Sequence, residues 1–327
     1  MSREGHAGES VYQVYGLGLR SAYPFQSPLH RASVQPDLRF ALSDRPSSPL
    51  PVEARPLFSS PLRLGSGESF LKLYRTGDCD VIRFTEVVDF YAGSDRVEAV
   101  LLDPEYDYTV ELHLLGTILA YWSERLGRPA LHASAVSVDG RACLFLAGNR
   151  GGKTSLAAAL LRGGHALLSD DLACLSEADG RFCVAPGYPQ MRMWPDVAEH
   201  FLGSAEDLPL AHPGFEKRRA PVGETGFGSF CPAWQTLGGI YVPERRSPEV
   251  LREPILSRVS ARDAVMQLVA SSFLPRLTEA AGFQAERFRF FARLARAVPV
   301  YRLVYPEGLD LLPGVVEPVL SSLGVSS

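Results

Sequence analysis

One stretch of the sequence limits the possible folds more than any other. Six apolar residues at 142–147 (ACLFLA) lead without a break into the glycine-rich string GNRGGKT at 148–154. An Ala- and Leu-rich segment, Ser155–Arg162, follows and is closed by Gly163 and Gly164. A short apolar run is typical of a buried strand, and glycine directly after a helical segment is typical of a helix C-terminus. The order therefore predicts a strand, a glycine-rich loop and a helix.

The string at 147–154 has the spacing of the Walker A phosphate-binding loop, A-x-x-x-x-G-K-T, with Ala147 in the position of the first glycine. Glycines let successive backbone N–H groups approach an anion, and the N-terminus of the following helix adds N–H donors and a partial positive charge. Lys153 is expected to reach the β- and γ-phosphates of a nucleotide, and the Thr154 hydroxyl to bind Mg²⁺. An ordinary glycine-rich turn is the alternative. The predicted nucleotide-binding residues are Gly148, Asn149, Arg150, Gly151, Gly152, Lys153, Thr154 and Ser155.

Two adjacent carboxylates, Asp170 and Asp171, follow the next predicted strand, Ala166–Ser169. Carboxylates at the end of a hydrophobic strand are costly unless water, a metal ion or a hydrogen-bond donor receives them. Beside a phosphate-binding lysine, the pair predicts Mg²⁺ binding and activation of an acceptor hydroxyl. Successive strand residues point to opposite faces, so both carboxylates need not meet one ligand, and an exposed Asp-Asp turn is the alternative.

A histidine upstream is placed near the loop by hairpin geometry. Asp139 and Gly140 separate two apolar runs, which is a strong signal for a two-residue β-hairpin. Opposed residues in such a hairpin have numbers that add to 279, so His132 is expected opposite Ala147, at the mouth of the phosphate loop. The register therefore favours a catalytic or phosphate-site role for His132 over the alternative of a packed core histidine.

Together these residues resemble the HPr kinase/phosphorylase family, in particular its C-terminal kinase domain, over about residues 128–175. The shared pattern is a histidine 21 residues before the loop lysine, the loop itself, the string RGGH at 162–165, and paired aspartates 17 and 18 residues beyond the lysine. More loosely, the whole chain resembles the HPr-kinase-related proteins of bacterial gene clusters, including kinases of lasso-peptide precursors. Stretches at 15–19, 186–195, 239–242 and 298–302 carry that wider resemblance.

The resemblance implies an α/β (α+β) fold: an HPr kinase/phosphoenolpyruvate carboxykinase-like P-loop core with a mixed β-sheet. It implies ATP and Mg²⁺, and a serine hydroxyl as the phosphate acceptor. Lys153 and the loop would hold phosphates, Thr154 and Asp170 the metal, Asp171 would be the acid/base, and His132 its catalytic neighbour; how the two aspartates divide these roles stays open. The Arg-Gly-x-Gly stretch that HPr kinases carry after the aspartates is absent, and residues 186–195 occupy that region.

The rest of the chain predicts two domains, a smaller β-rich one at 1–112 and the kinase-like one at 113–327. Strands are expected at Phe70–Tyr74 and Asp80–Phe84 around a Gly77-Asp78 turn. Apolar residues at 115, 118, 119, 122 and 126 predict an amphipathic helix over 112–126. Further helices are expected from Ser260 to about 273, over 286–297 and over 313–320, with a strand over 300–305.

Composition limits the partners and the compartment. Charged residues make up 21% of the chain, the net charge is −4, and the basic residues are scattered, which argues against a nucleic-acid partner. No apolar run reaches the length of a membrane span, and the first six residues lack the apolar core of an export signal. The odd number of cysteines, five, without a CxxC pair predicts reduced thiols and a cytoplasmic protein. A homo-oligomer is compatible with all of this.

These observations predict an ATP-dependent kinase acting on a serine of a peptide or protein acceptor, with a lasso-type precursor peptide as one candidate. A nucleotide-binding regulatory or assembly protein without transfer activity and a small-metabolite kinase are the alternatives. Lys217-Arg218-Arg219 is interpreted either as a mobile basic loop that meets phosphate charge or as a solvated turn. A structural role is favoured for Arg192, with a position facing the site as the alternative, and packing is favoured over base stacking for Trp194 and Tyr188.

Overall fold

The computed structural model describes residues 8–77, 79–224 and 226–325. Within these limits the chain divides into two compact units, one of residues 8–119 with 276–282 and one of residues 120–275 with 283–325. The predicted boundary at 112/113 stays a prediction, and the division between the units comes after Leu119. The six N-terminal residues inspected for an export signal, and Asp78 of the predicted turn, lie outside the described residues.

The first unit is built on a mixed sheet with the strand order β3-β1-β2-β4-β9-β8-β7-β6-β5. β4 runs parallel to both β2 and β9, and the other neighbours are antiparallel. The predicted hairpin is confirmed as β6 and β7, which pair from Leu71↔Phe84 to Thr76↔Cys79. Its described strands are β1 Ser10–Val14, β2 Leu17–Ser21, β3 His30–Arg31, β4 Leu38–Leu42, β5 Phe58–Ser59, β6 Leu71–Thr76, β7 Cys79–Phe84, β8 Val88–Ala92 and β9 Arg96–Leu101.

The amphipathic helix predicted over 112–126 is confirmed, with a start three residues earlier. It consists of α1 Thr109–His113, a π-helical turn Leu114–Ile118 and α2 Leu119–Arg125. The side chains expected on its apolar face are buried, except that of Leu126, which is 47% exposed. Leu126 follows the last residue of α2, so the helical period no longer directs it toward the core.

The second unit contains the remaining elements apart from most of α6. Its described strands are β10 Ala130–Leu131, β11 Ala133–Val138, β12 Arg141–Leu146, β13 Ala166–Ser169, β14 Ala173–Ala178, β15 Arg181–Val184, β16 Gln190–Met193, β17 Leu210–His212, β18 Phe215–Pro221, β19 Ser229–Phe230, β20 Gln235–Arg246, β21 Ile255–Arg258 and β22 Val300–Pro306. The helices of this part of the chain are α3 Lys153–Arg162, α4 Pro195–Leu202, α5 Ala261–Ala270, α6 Pro275–Ala280, α7 Gln284–Ala297 and α8 Leu312–Ser322.

The main sheet of the second unit is mixed, as the resemblance implied, and has helices on both faces. Its path runs β10-β14-β15-β20-β12-β11-β13-β19, with β22 also paired to β20 and β21 to β22. The apolar run that forms β12 is buried on both faces. Cys143 and Phe145 pack with side chains of α3 and α8, whereas Leu144 and Leu146 pack with side chains of α5 and α7. A strand covered on both sides needs a continuous apolar run rather than an alternating one.

Most of the predicted elements after the loop are confirmed. Ser260 caps α5, and its hydroxyl accepts from the Asp263 N–H, but the helix ends at Ala270 rather than near 273. The sequence analysis missed α4 and a separate three-stranded sheet, β16-β18-β17. The basic triplet at 217–219 lies in strand β18, so the interpretation as a mobile loop or a solvated turn is wrong.

The remaining expectations concern thiols and membranes. All five cysteines are free in the described chain, and burial raises the pKa of Cys143 and of Cys174 to about 12. Among the described residues, none of the helices has both the length and the apolar character that crossing a membrane requires.

Candidate active site

The predicted phosphate loop connects the end of β12 at Leu146 to the start of α3 at Lys153. The Gly151 N–H donates to the Gly148 carbonyl at 3.1 Å and closes the turn. Arg150 and Gly152 have φ values of 56° and 89°, in the left-handed region. A Cβ atom at Gly151 would lie 2.5 Å from that of Ala147, so the alanine at the first position makes glycine obligatory at 151.

The N-terminus of α3 opens into a cavity of about 390 Å³. Its N-cap, Gly152, has no side chain that could bond the first-turn N–H groups, and these groups have no partner within the helix. The loop residues 149–152 and the first helical residues, including Ser155, line the cavity together with Trp194, Lys217 and Tyr305. Free N–H donors and the positive end of the helix dipole make this an anion-binding geometry.

Lys153, the first residue of α3, is buried, and its side chain reaches back to the start of the loop. Its Nζ donates to the carbonyls of Ala147 at 2.6 Å and Gly148 at 3.0 Å, and it lies 3.1 Å from the His132 Nε2. Burial lowers the pKa of Lys153, and the nearby Lys217 acts in the same direction, while Asp171 and Asp170 oppose both. A buried cation held at a phosphate loop gains strongly from an anionic ligand.

The predicted hairpin register is confirmed from Ala133↔Leu146 to Val138↔Arg141, and His132 lies just before the first of these pairs, where its N–H donates to the Ser271 carbonyl at 2.8 Å. The His132 Nδ1 lies 2.9 Å from the backbone carbonyl of Asp171. Since a carbonyl can only accept, we assign the proton to Nδ1, and Nε2 then accepts from Lys153. Burial and the charge of Lys153 lower the pKa of His132 despite opposing contributions from Asp171. A neutral His132 therefore links the lysine to the backbone of the aspartate pair.

Asp170 is buried and bonded on both oxygens. Its Oδ1 accepts from the Ser134 hydroxyl at 2.5 Å and lies 3.3 Å from the Thr154 Oγ1, and its Oδ2 accepts from the Arg192 N–H at 2.8 Å. Burial raises the pKa of Asp170, and the neighbouring charge of Asp171 raises it further, although the bonds from Ser134 and Arg192 act in the opposite direction.

Asp171 lies in the left-handed region with φ 63°, so the chain reverses directly after Asp170. Its Oδ1 lies 3.4 Å from the Lys217 Nζ, and its Oδ2 lies 3.6 Å from the Arg192 Nη1. Burial alone would raise the pKa of Asp171, but attraction to the charges of Lys217, Arg192 and Lys153 outweighs burial and lowers it. The left-handed turn brings both carboxylates into one site, yet gives them different partners and opposite pKa shifts.

Thr154 and Asp170 fit a magnesium ion that is shared with phosphate. Among the described residues, no three His, Cys, Asp or Glu side chains are grouped so that they could hold a metal by themselves. Mg²⁺ at phosphate sites needs no such cage, because it binds one or two protein oxygens and takes its other ligands from phosphate and water. The Thr154 hydroxyl and the Asp170 carboxylate provide two adjacent oxygens at the mouth of the loop.

The other predicted loop residues have supporting contacts. The Asn149 Oδ1 accepts from the Arg150 N–H at 3.1 Å. The Arg150 guanidinium carbon lies 3.9 Å from the centre of the Trp194 ring, and the Arg150 carbonyl accepts from Arg245. Arg150 therefore holds the tip of the loop against the start of α4.

The sequence analysis missed the contact of Ser134, and it gave a place near the site for Arg192 and Lys217 only as one of two alternatives. A signal for Ser134 was present, because it lies two residues after His132 in the predicted strand, and alternate residues of a strand share a face. The positions of Arg192 and Lys217 depend on the pairing of β16 with β18, which no local pattern indicates.

Comparison with solved structures finds a distant structural similarity. No protein-family model and no curated protein sequence matches the chain. The HPr(Ser) kinase/phosphatase from Coxiella burnetii is similar in structure, with a TM-score of 0.30 and 14% identity, over 59% of this chain and 93% of that one. A similarity of this size carries no argument about activity, so the function must be argued from the site.

Proposed function

We propose that this protein is a kinase that transfers the γ-phosphoryl group of Mg-ATP to the hydroxyl of a serine in a peptide or protein. One observation carries the proposal. His132 links Lys153 of the phosphate loop to the backbone carbonyl of Asp171, and the Asp170 carboxylate lies 3.3 Å from the Thr154 hydroxyl beside that lysine. A phosphate-binding loop alone serves many classes of nucleotide-binding protein, but a carboxylate beside that loop that can orient an acceptor hydroxyl is what transfer to a hydroxyl requires.

The phosphates are held at the N-terminus of α3. The N–H groups of the first turn of α3 and the Lys153 ammonium bind the β- and γ-phosphates. Thr154 and Asp170 would hold Mg²⁺, which would offset the negative charge of the phosphates. Ser134 and the Arg192 N–H keep the Asp170 carboxylate in the orientation that this role needs.

The Asp171 carboxylate binds the hydroxyl of the acceptor serine. The Asp171 side chain is ionised and partly exposed, so the serine hydroxyl donates a hydrogen bond to it while the oxygen faces the phosphorus. A carboxylate of lowered pKa is a weak base. It suits a loose transition state, in which the hydroxyl is oriented first and its proton passes to Asp171 late. His132 positions this residue through the Asp171 carbonyl.

The acceptor class rests on the resemblance of residues 128–175 to HPr kinases and on the wider resemblance to kinases of precursor peptides. Incubation with Mg²⁺ and γ-labelled ATP should label a serine-containing precursor peptide encoded beside the gene. The mass of that peptide should increase by about 80 daltons, one phosphoryl group. Label on a free hydroxy compound instead would support the metabolite kinase, and nucleotide binding without any labelled acceptor would support the regulatory protein.

The Asp171→Asn variant separates transfer from binding. Loss of a positioned proton acceptor lowers a transfer rate by about 10²- to 10⁴-fold. We therefore expect a loss in this range in initial rate, with Mg-ADP affinity retained because Asp171 lies on the acceptor side. Lys153→Met is the companion variant and should weaken nucleotide binding itself. An Asp171→Asn protein that transfers phosphate at the wild-type rate would remove Asp171 from the mechanism.

A further inference from the structure

Lys217 lies in strand β18, in the stretch that the sequence analysis interpreted as a mobile basic loop or a solvated turn. β18 pairs with β16 in an antiparallel register that includes Met193↔Arg218. Continuing that register by one residue puts Lys217 opposite Trp194, and its Nζ lies 5.8 Å from the centre of the Trp194 ring. Side chains alternate along a strand, so the adjacent Arg218 points to the other face, where it donates to the Leu208 carbonyl.

The Lys217 ammonium lies between the proposed proton acceptor and the phosphate cavity. Its Nζ is 3.4 Å from the Asp171 Oδ1, and Lys217 lines the same cavity as Lys153 and Thr154. The side chain is 20% exposed, so it can be reached by a ligand while most of its stem is packed. The neighbouring cation, Arg192, is engaged by its guanidinium with Asp171 and with the Tyr188 hydroxyl.

We propose that Lys217 is a further catalytic residue, which binds the γ-phosphoryl oxygens during transfer; this assignment rests on the proposed kinase function. The acceptor oxygen forms a bond to the γ-phosphorus, and the bond from that phosphorus to the bridging oxygen breaks with its electron pair going to ADP. The acceptor proton goes to Asp171. Lys217 keeps its own protons and contributes charge and hydrogen bonds, while its contact with Asp171 keeps it between donor and acceptor.

The test measures affinity for a transition-state mimic, so it does not need the natural acceptor. The probes are Mg-ADP and Mg-ADP with tetrafluoroaluminate, titrated calorimetrically into the full chain, together with the slow hydrolysis of Mg-ATP. Lys217→Met should bind Mg-ADP within about threefold of wild type but lose about 10²- to 10³-fold in hydrolysis, the usual effect of removing one transition-state donor. It should also lose the additional affinity for the aluminium fluoride complex, and Lys217→Arg should recover part of it.

Lys72→Met is the matched control, because Lys72 is also a lysine paired with a carboxylate, Glu68, but belongs to the first unit. It should behave as wild type in every measurement. If Lys217→Met does not fold, acylation of wild-type lysines followed by mass spectrometry replaces it. Lys217 should then be protected by the aluminium fluoride complex more than by Mg-ADP alone.

Each outcome has a distinct meaning. Unchanged affinity of Lys217→Met for the aluminium fluoride complex, or equal acylation of Lys217 with both ligands, overturns the role of Lys217 and leaves the kinase function standing. Wild-type protein that binds neither Mg-ADP nor Mg-ATP overturns the kinase function itself.

Discussion

Two buried charge clusters in the second unit are built in opposite ways. Glu124 on α2 and Arg287 on α7 form an ion pair whose side chains are at least 93% buried: the Arg287 Nε donates to the Glu124 Oε2 at 3.1 Å, and the Nη2 lies 3.1 Å from the Oε1. The Ala130 N–H donates to the same carboxylate at 3.0 Å. At the phosphate loop, by contrast, Lys153 contacts only carbonyls and a neutral histidine, and Asp171 meets its cations at 3.4–3.6 Å.

The difference separates charges that are compensated within the fold from charges that are left available to a ligand. A buried ion is tolerated when a partner of opposite charge and hydrogen bonds compensate it. Glu124 and Arg287 compensate each other in this way. The cluster at the loop leaves the Lys153 charge without a direct carboxylate partner, next to helix N–H groups of the same sign. Such an arrangement costs stability in the free protein and is offset when an anion binds.

The largest effect is expected from breaking the compensated pair. Glu124→Gln leaves Arg287 buried and uncompensated, which should lower the free energy of unfolding by about 3–5 kcal/mol. Urea denaturation measures the loss. The matched control is Glu177→Gln, which removes the partner of the exposed Arg293 and should cost less than about 1 kcal/mol. A loss for Glu124→Gln as small as for the control would refute the structural role of the pair.

A smaller effect, and mainly on metal binding, is expected from Ser134→Ala. The variant removes the hydroxyl that orients Asp170, so the Mg²⁺ concentration for half-maximal activity should rise about 10-fold. The free energy of unfolding should fall by only about 1 kcal/mol. Ser137→Ala on the same strand is the control, and it should leave the Mg²⁺ titration unchanged. A wild-type Mg²⁺ titration for Ser134→Ala would mean that Asp170 does not bind the metal.

The smallest effect is the contribution of His132 to the pH dependence of stability. The pKa of His132 is lowered from 6.5 in the folded chain, mainly by burial, so the unfolded chain binds its proton more readily. Stability should therefore fall as the pH decreases through 6.5, and this contribution should be absent from His132→Asn. Urea denaturation at about pH 7.5 and 5.5 checks the sign, since the two pH values bracket the ordinary titration of histidine. Equal pH dependence of variant and wild type would mean that His132 is not held neutral.

The candidate site was predictable where its signals are local. The strand, loop and helix around Lys153 follow one another within about 20 residues, and the hairpin at Asp139 and Gly140 set the register that brings His132 to the loop. The strand before Asp170 was also correct. Period-two alternation predicts that successive strand residues point to opposite faces. It could not predict the left-handed turn at Asp171, which brings both aspartates to the same site.

The amino-acid sequence by itself determined the glycine-rich loop, the order of strands and helices around it and the position of His132, because turn chemistry and hydrophobic periodicity act between near neighbours. Only the tertiary structure decided the electrostatics of the site. Lys217 and Arg192 reach Asp171 through a three-stranded sheet whose paired strands, β16 and β18, are separated by α4 and β17. Pairing over such a separation is selected by packing of the whole unit, and no local pattern encodes it.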